Sequence, residues 1–260
     1  GGDGDGGDSL TAVDNLWMSV YPGQITALLG HNGAGKSTTV SMLSGLTPAT
    51  SGDAVVCGRR LSSDLAGVRA LLGVCPQENT LWDQLTVMEH LQLFAGIKGT
   101  RIDPHSPDAR LVGRLGLESK THAMASTLSG GQKRKLCVAL ALVGGSRVVL
   151  LDECTSGLDP ASRRVVWSLL EQEKRRRAIV LLTHHLDEAE FMAQTIAIMS
   201  KGRLRVVGSS LFLKTAFGLG YHLTLSMAPS AAREGALRLV RDSVPGAVII
   251  GHRARRAVRE

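Results

Sequence analysis

Short apolar runs alternate along the chain with longer segments of helical spacing. Many of the runs are continuously apolar, as is typical of strands buried on both faces of a parallel sheet. The predicted strands are Ile25–Leu29, Ala54–Cys57, Leu71–Val74, Val148–Leu151, Ile179–Leu182, Ile196–Met199 and Leu204–Val207. The predicted helices are Lys36–Ser44, Val87–Phe94, Ser129–Val143, Ser162–Lys174 and Asp187–Ala193. This alternation predicts an α/β fold with a mainly parallel sheet.

Three segments depart from the alternation. Residues 1–9 are Gly and Asp with a single Ser, which predicts a linker or a remnant that can bury no core. Residues from about 85 to 127 have helical spacing and turn residues but no convincing strand, which predicts a helical insertion. Over residues 221–260 the pattern restarts as strand, helix (Ala232–Ser243) and strand, which predicts an incomplete α+β segment. The main domain is then residues 10–220.

Composition excludes a disordered chain, and the charge of the last 60 residues leaves the role of that segment open. The 260 residues are 43% hydrophobic and hold 30 Lys and Arg against 23 Asp and Glu. The last 60 residues hold 11 Lys and Arg against three Asp and Glu. A nucleic-acid or anionic-lipid surface is possible there, but a solvated tail is favoured, because no aromatic residues interleave the final charges. The four cysteines lack metal-ligand spacing, which predicts free thiols.

A phosphate-binding loop is predicted at Gly30–Ser37. Its sequence GHNGAGKS matches G-x-x-x-x-G-K-[ST] and lies between a predicted strand and a predicted helix. Glycines let the backbone curl so that N–H groups point at phosphate oxygens, and the helix start adds positive charge. We expect Lys36 to neutralise the β- and γ-phosphates and Ser37 to place its hydroxyl on Mg²⁺.

An apolar strand ends in two carboxylates, Asp152 and Glu153. The carboxyl edge of such a strand is where ligands of open α/β sheets bind. Asp152 is predicted to contact Mg²⁺ through water, because Mg²⁺ keeps part of its hydration shell, and Glu153 is predicted to accept a proton from an attacking water. A solvated acidic turn is the alternative, which the upstream loop disfavours.

A second anion-binding helix start is predicted at Leu128–Gln132. Its sequence LSGGQ ends 20 residues before Asp152 and leads directly into a helix. One domain has little use for two γ-phosphate sites. Two such domains facing head to tail would use both, with each phosphate loop closed by the other domain's turn.

In these motifs and their order, the chain resembles the nucleotide-binding domain of ABC transporters. GHNGAGKST resembles Walker A, VCPQ the Q-loop, LSGGQ the signature, VVLLDE Walker B, SGLD the D-loop and LLTHH the switch-histidine loop. LGVCPQ, THHLDEAE and GSSLFLK are most similar to the first such domain of subfamily A, a group of lipid-handling transporters. The resemblance implies a P-loop NTPase (RecA-like) core with an antiparallel β part and an inserted helical subdomain. Residues 221–260 resemble the start of that group's regulatory domain.

The resemblance also implies roles for individual residues. Glu153 is implied as the base, His184 as the residue that contacts the γ-phosphate and orients the water, and Gln77 as a contact of metal and water. The implied Mg²⁺ contacts are Ser37, Gln77 and Asp152. The implied ATP contacts are Gly30, Asn32, Gly33, Ala34, Gly35, Lys36, Ser37 and Thr38, with Ser129, Gly130, Gly131, Gln132 and Asp159 acting across a dimer.

Several of these residues have plainer interpretations. Gln77 could be an ordinary loop amide, and Asp159 could cap the helix that begins near Pro160, or do both. His184 and His185 precede acidic residues, but adjacent residues at a strand end point to opposite sides, which disfavours a metal chelate.

Two departures from the family pattern carry expectations. Cys154 replaces the usual proline after the Walker B glutamate, which leaves Glu153 less firmly aimed and predicts reduced hydrolysis. The family stacks adenine on an aromatic residue in the first strand, upstream of the phosphate-binding loop. In this chain no aromatic residue precedes Trp17, so ATP and GTP are expected to bind with about the same affinity.

The resemblance implies an ATPase domain that powers lipid transport with ATP and Mg²⁺. Its implied partners are a second nucleotide-binding domain in a head-to-tail dimer and the transmembrane domains, at the cytoplasmic face of a membrane. The lipid is not expected to touch this domain, and nucleic acid is not expected as a partner. Two alternatives stay open: a soluble ABC ATPase acting on the ribosome or nucleic acid, and a nucleotide-sensing module with little turnover.

Overall fold

The computed structural model describes residues 11–103, 106–218 and 233–244. The chain divides into two units, Gly1–Phe217 and Gly218–Glu260. The predicted linker at residues 1–9 and the predicted strands on either side of the helix in the second unit lie outside the described residues. No helix among the described residues is long and apolar enough to cross a membrane.

A six-stranded sheet forms the centre of the first unit. Its strands, in spatial order, are β4, β5, β6, β1, β7 and β8, and only β8 runs antiparallel to its neighbour. β2 and β3 form a separate antiparallel hairpin. The strands are β1 Ile25–Leu29, β2 Val55–Val56, β3 Arg59–Arg60, β4 Leu72–Cys75, β5 Val148–Asp152, β6 Ala178–Thr183, β7 Thr195–Ser200 and β8 Arg203–Gly208. The predicted mainly parallel sheet with an antiparallel part is confirmed.

Helices cover both faces of this sheet. In the first unit they are α1 Lys36–Leu43, α2 Leu65–Leu71, α3 Val87–Ile97, α4 Arg110–Arg114, α5 Gly130–Leu142, α6 Pro160–Glu173, α7 Leu186–Met192 and α8 Ser210–Phe217. The second unit contains α9, Arg233–Ser243. Four elements were not predicted from the sequence, and all are eight residues or shorter: β3, α2, α4 and α8. Between residues 85 and 127 the described residues hold α3, α4 and two 3₁₀ turns, Glu118–Lys120 and Ala125–Thr127.

Alternating residues of the central strands enter two different core layers. Ile25 and Ala27 of β1 pack in one apolar cluster, whereas Leu28 packs in the other. In β5, Leu151 packs in the first of these clusters and Leu150 in the second. Side chains of successive strand residues point to opposite faces, so both faces of the sheet are buried. This explains why the central strands are continuously apolar.

The parallel strands bring four chain segments to one edge of the sheet. The P-loop follows β1, and Gln77 lies two residues after β4. Glu153 directly follows β5, and His184 directly follows β6. Because parallel strands share one carboxyl edge, residues far apart in sequence meet there.

Candidate nucleotide-binding site

The P-loop needs glycine at several positions for steric reasons. A Cβ atom at Gly30 would lie 2.6 Å from the carbonyl oxygen of Met199, and one at Gly35 would lie 2.5 Å from that of Ala12. Gly33 and Gly35 also have φ angles of +78° and +102°, in the left-handed region that favours glycine. The loop therefore holds a curled backbone packed closely on its neighbours.

Lys36 lies buried beneath the P-loop. Its Nζ donates hydrogen bonds to the carbonyl oxygens of Gly30 and His31, at 2.6 and 3.1 Å. Burial lowers the pKa of Lys36, and the nearby carboxylates of Glu153 and Asp152 oppose that shift. The lysine is thus held at the centre of the site by groups from both the P-loop and the acidic strand end.

The hydroxyl of Ser37 lies close enough to the carboxylate of Asp152 to influence its pKa. Burial raises the pKa of Asp152, and the hydroxyl of Ser37 opposes this. A hydroxyl and a carboxylate are oxygen ligands of the kind that Mg²⁺ prefers, with phosphate oxygens and water completing its shell. The residues at this point therefore fit Mg²⁺. Within the described residues, no group of three or more His, Cys, Asp or Glu side chains could hold a metal ion.

The three predicted catalytic side chains meet at Glu153. Its Oε1 atom lies 2.6 Å from Nδ1 of His184, and its Oε2 accepts a hydrogen bond from Nε2 of Gln77 at 3.3 Å. Glu153 is buried, with a φ of +47° that turns its side chain into the site. Gln77 therefore contacts the carboxylate of Glu153, while its catalytic role and its contact with Mg²⁺ stay predictions.

The remaining predicted residues of the P-loop lie as the motif requires. Ala34 is buried and its carbonyl oxygen accepts a bond from the backbone N–H of Gly202 at 3.0 Å. Asn32 and Gly33 are exposed on the loop, and Thr38 lies in the first turn of α1. Exposed backbone beside a helix start is the usual arrangement for binding phosphate.

The LSGGQ segment forms an exposed, capped helix start. The hydroxyl of Ser129 accepts from the backbone N–H of Gln132 at 3.3 Å, and Oε1 of Gln132 accepts from the backbone N–H of Ser129 at 2.9 Å. Ser129 and Gly130 are exposed, and a Cβ atom at Gly130 would meet nothing within 4 Å. No hydrogen bond among the described residues joins this turn to the P-loop of the same chain.

Asp159 caps helix α6, as the plainer interpretation expected. Its Oδ1 accepts from the backbone N–H groups of Ala161 and Ser162, both at 2.9 Å, with Pro160 at the first helical position. Hydrogen bonds from Ser162 lower the pKa of Asp159. Its role across a dimer stays a prediction.

Two buried charged residues near the site, Glu188 and Arg134, were not predicted from the sequence. Glu188 accepts bonds from Oγ1 of Thr155 and, at 3.2 Å, from Nε1 of Trp167, which ties the segment after Glu153 to helix α7. Arg134 donates to backbone carbonyl groups on two sides of the site. Each occurs among other charged residues in the sequence, so no local pattern marked it as buried.

Comparison with known proteins agrees with this geometry. Residues 13–156 match the family model described as ABC transporter. The chain is 47% identical over 248 residues to the phospholipid-transporting ATPase ABCA3 of Rattus norvegicus, and 50% identical over 221 residues to the glucosylceramide transporter ABCA12 of Mus musculus. These matches cover 95% and 84% of the chain but only 15% and 8% of the two relatives.

Solved structures have the same fold. The structure of an ATP binding subunit of an ABC transporter matches with a TM-score of 0.73 and 28% identity, over 82% of this chain and 90% of that one. The cassette MJ0796, in a dimeric post-hydrolysis state bound to ADP and Pi, matches with a TM-score of 0.68 and 23% identity over 76% and 90%. With more than half of its residues matched by the family model, the chain belongs to the ABC transporter family.

Proposed function

We propose that this chain binds ATP with Mg²⁺ and hydrolyses it, as the motor domain of a membrane transporter that moves lipids. The observation that carries the proposal is the meeting of His184, Glu153 and Gln77 beside the P-loop. The 2.6 Å contact between His184 and Glu153 holds a carboxylate where a water could attack a bound γ-phosphate.

Different residues of the site bind the phosphates, neutralise their charge and hold Mg²⁺. Backbone N–H groups of the P-loop and the start of α1 bind the phosphates. Lys36, which bonds to loop carbonyls, has the reach to turn its ammonium group to the β- and γ-phosphates. Ser37 and Asp152 would hold Mg²⁺, which when bound neutralises charge on the phosphate oxygens.

Glu153 is the base in this reaction. The oxygen of a water molecule attacks the γ-phosphorus, and the bond from that phosphorus to the bridging oxygen of ADP breaks. Glu153 takes the proton of the attacking water, while His184 keeps the carboxylate in position and orients the water. The products are ADP and phosphate.

The exposed LSGGQ turn supports a head-to-tail partner. Its capped helix start faces solvent without a hydrogen bond to the P-loop of its own chain, so Ser129 and Gly130 are available to a nucleotide on another domain. The solved MJ0796 cassette is a dimer. A second nucleotide-binding domain, with Asp159 near the contact, is therefore the proposed partner.

The proposed transport substrate and place come from the named relatives. Those relatives are transporters of phospholipid and of glucosylceramide. We infer that transmembrane domains carry the lipid, that this domain contacts those domains and not the lipid, and that it lies at the cytoplasmic face of the membrane. The relatives weigh against a soluble ATPase of the ribosome or nucleic acid.

Phosphate release separates an enzyme from a nucleotide-sensing module. With purified chain at saturating ATP and Mg²⁺, we expect steady release that falls about a hundredfold or more in Glu153→Gln, while ATP affinity is retained and the dimer is trapped. Glu171→Gln makes the same chemical change on the exposed face of α6 and serves as the control. No release by the wild-type chain favours the sensing module, and normal release by Glu153→Gln disproves the assigned base.

A further inference from the structure

We infer that Arg134 is a positioning residue that holds Gln77 and Glu153 against each other, an inference that rests on the proposed ATPase function. Arg134 lies in the first turns of α5, two residues after Gln132, and only 4% of it is exposed. It touches neither nucleotide phosphates nor the reacting water in the arrangement proposed above. Its effect would come through the two loops that carry the catalytic side chains.

The guanidinium group of Arg134 bonds to both loops at once. Nη1 donates to the carbonyl oxygens of Pro76 and Gln77, at 2.6 and 2.9 Å. Nε donates to the carbonyl oxygen of Cys154 at 3.2 Å, and Nη2 donates to that of Asp152. Four carbonyl groups, two from each loop, therefore meet one buried cation.

The sheet alone does not join these two loops. The paired register of β4 and β5 ends at Cys75 and Leu151, directly before the segments that Arg134 contacts. Beyond this point β5 stays attached to β6, because the backbone N–H of Glu153 donates to Leu182 at 2.9 Å. Arg134 thus supplies the bridge between the end of β4 and the end of β5.

The chemistry of arginine suits this bridge. Its planar group has five N–H donors in a fixed fork, whereas the ammonium group of lysine is a single point with three donors. A buried cation is costly unless polar groups surround it, so the four carbonyl groups and Arg134 require each other. Lysine has one nitrogen in place of three, so we expect it to satisfy fewer of the four carbonyl groups.

The consequence is a defined distance between two catalytic side chains. Gln77 and Glu153 meet through a 3.3 Å hydrogen bond although 76 residues separate them. A misplacement of about 1 Å in either backbone is enough to disturb such an arrangement. Arg134 fixes the backbone of Gln77 itself and the residues on either side of Glu153.

The chain offers a matched control in Arg177. This second buried arginine donates through Nη1 to the carbonyl oxygen of Leu142 at 2.8 Å and pairs with Glu173 at 2.8 Å. Its contacts involve neither Gln77 nor Glu153. Arg177→Lys removes a comparable buried interaction and reports what loss of stability alone does to activity.

Steady-state kinetics provide the first test. In Arg134→Lys and Arg134→Gln we expect kcat to fall about tenfold or more while KM and ATP affinity change less than about threefold. In Arg177→Lys, at a temperature where it is fully folded, kcat should stay near wild type. Because Arg134 holds Gln77 and Glu153 against each other, Arg134→Lys combined with Gln77→Ala should lose clearly less kcat than the product of the two single losses. If the fold-decreases in kcat of the two single variants multiply in the double variant, the inference is wrong. A wild-type kcat in Arg134→Lys would also overturn it.

Hydrogen exchange provides a second test that needs no activity. We expect Arg134→Lys to speed amide exchange in peptides covering residues 76–80 and 152–156, and Arg177→Lys to leave those peptides unchanged. Equal effects of both variants on these peptides would reduce Arg134 to general structural support. If the wild-type chain hydrolyses no ATP, the proposed function fails, and the exchange result still decides whether Arg134 joins the two loops.

Discussion

His184 and Glu153 lie side by side, with 2.6 Å between Nδ1 of the imidazole and Oε1 of the carboxylate. An ionised carboxylate can only accept hydrogen bonds, so the hydrogen in this contact belongs to Nδ1. The two residues follow neighbouring parallel strands, β6 and β5. His184 contacts one oxygen of the carboxylate and Gln77 the other, which supports the proposed role of His184 in orienting the base.

Replacing His184 therefore tests the orientation of Glu153. In His184→Ala we expect kcat to fall about a hundredfold, with ATP affinity changed only a few-fold, because the phosphate contacts of the P-loop remain. Phosphate release and ATP titration measure the two effects. His185→Ala is the control, since the ring of His185 makes no hydrogen bond to Glu153. Its centroid lies 4.0 Å from that of the His184 ring, with the rings tilted by 39°, so the prediction that the two side chains point to opposite sides is wrong. Equal losses in both variants would count against the assigned role.

The parts of the site that sequence predicted well are the local ones. Gly30–Ser37 and the strand ending at Asp152 are continuous segments whose residue types dictate both backbone shape and chemistry. Parallel strands then imply one shared edge, so the meeting of Glu153 with His184 also followed from fold class. These features depend on rules that operate over a few residues or over a whole sheet.

The parts that sequence did not reveal depend on long-range packing. Arg134 lies in a run of basic residues, and nothing in that run distinguishes it from its half-buried neighbour Lys133 except the turn of α5 on which it falls. Its partners are backbone carbonyl groups, which have no sequence signature. The same holds for Lys98, whose ammonium group bonds to the carbonyl oxygen of Val143, 45 residues away.

Lys36→Met tests whether Lys36 is needed for nucleotide binding but not for folding. Burial disfavours the charged lysine, so we expect the neutral variant without nucleotide to unfold at about the wild-type temperature. A ligand at a hundred times its Kd adds about 2.7 kcal/mol of stability. Saturating ATP should therefore raise the Tm of the wild-type chain and leave that of Lys36→Met nearly unchanged. Lys214→Met alters an exposed lysine and should keep the full shift, and an equal shift in Lys36→Met would exclude the predicted phosphate contact.

ATP and GTP should bind with Kd values within about threefold of each other, which is less than 1 kcal/mol. Among the residues described before the P-loop, the aromatic ones are Trp17 and Tyr21, which are 85% and 59% exposed. Neither is packed as a fixed platform for a base, so affinity would come from the triphosphate that both nucleotides share. Titrations with ATP, GTP and inorganic tripolyphosphate measure this. An ATP preference that disappears in Trp17→Ala would identify Trp17 as the adenine contact instead.

Cys154→Pro tests the departure from the usual sequence after Glu153. The side chain of Cys154 is fully buried, and its neighbour Glu153 is held by His184 and Gln77. If the missing proline leaves the carboxylate less firmly aimed, the variant should raise kcat a few-fold without altering ATP affinity. Unchanged phosphate release would show that the two side-chain bonds suffice.

Two substitutions at Ser129 distinguish its role as a helix cap from its predicted role in binding a phosphate. Ser129→Ala should lower the free energy of unfolding by about 1 kcal/mol, because it removes the cap of α5. Ser129→Asp keeps a side-chain oxygen at the cap, so stability should change by only a few tenths of a kcal/mol. Its negative charge would still repel a γ-phosphate, and we expect phosphate release to fall at least tenfold.

A second capping box provides the control for this comparison. Thr86 and Glu89 begin α3 with the same pair of bonds that Ser129 and Gln132 make at α5. Thr86→Ala should therefore reproduce the stability loss of Ser129→Ala, measured by denaturant unfolding, without a loss of phosphate release. Full hydrolysis by Ser129→Asp would reject the proposed contact with a partner's nucleotide.

Lys98 should give the stability of the chain a specific dependence on alkaline pH. Burial and the charge of Arg177 lower the pKa of Lys98 to about 8, against the opposing effect of Asp108. The unfolded side chain titrates near pH 10.4, so between these values the unfolded state binds more protons and stability rises with pH. From pH 8 to 10 this adds on the order of 2 kcal/mol to the free energy of unfolding. The destabilising effect of the charge is fully present below pH 8 and disappears near pH 10.4.

Denaturant unfolding at each pH measures this effect. The free energy of unfolding should rise between pH 8 and 10 in the wild-type chain and in Lys120→Met, but not in Lys98→Met. The same rise in all three would place the titrating group elsewhere.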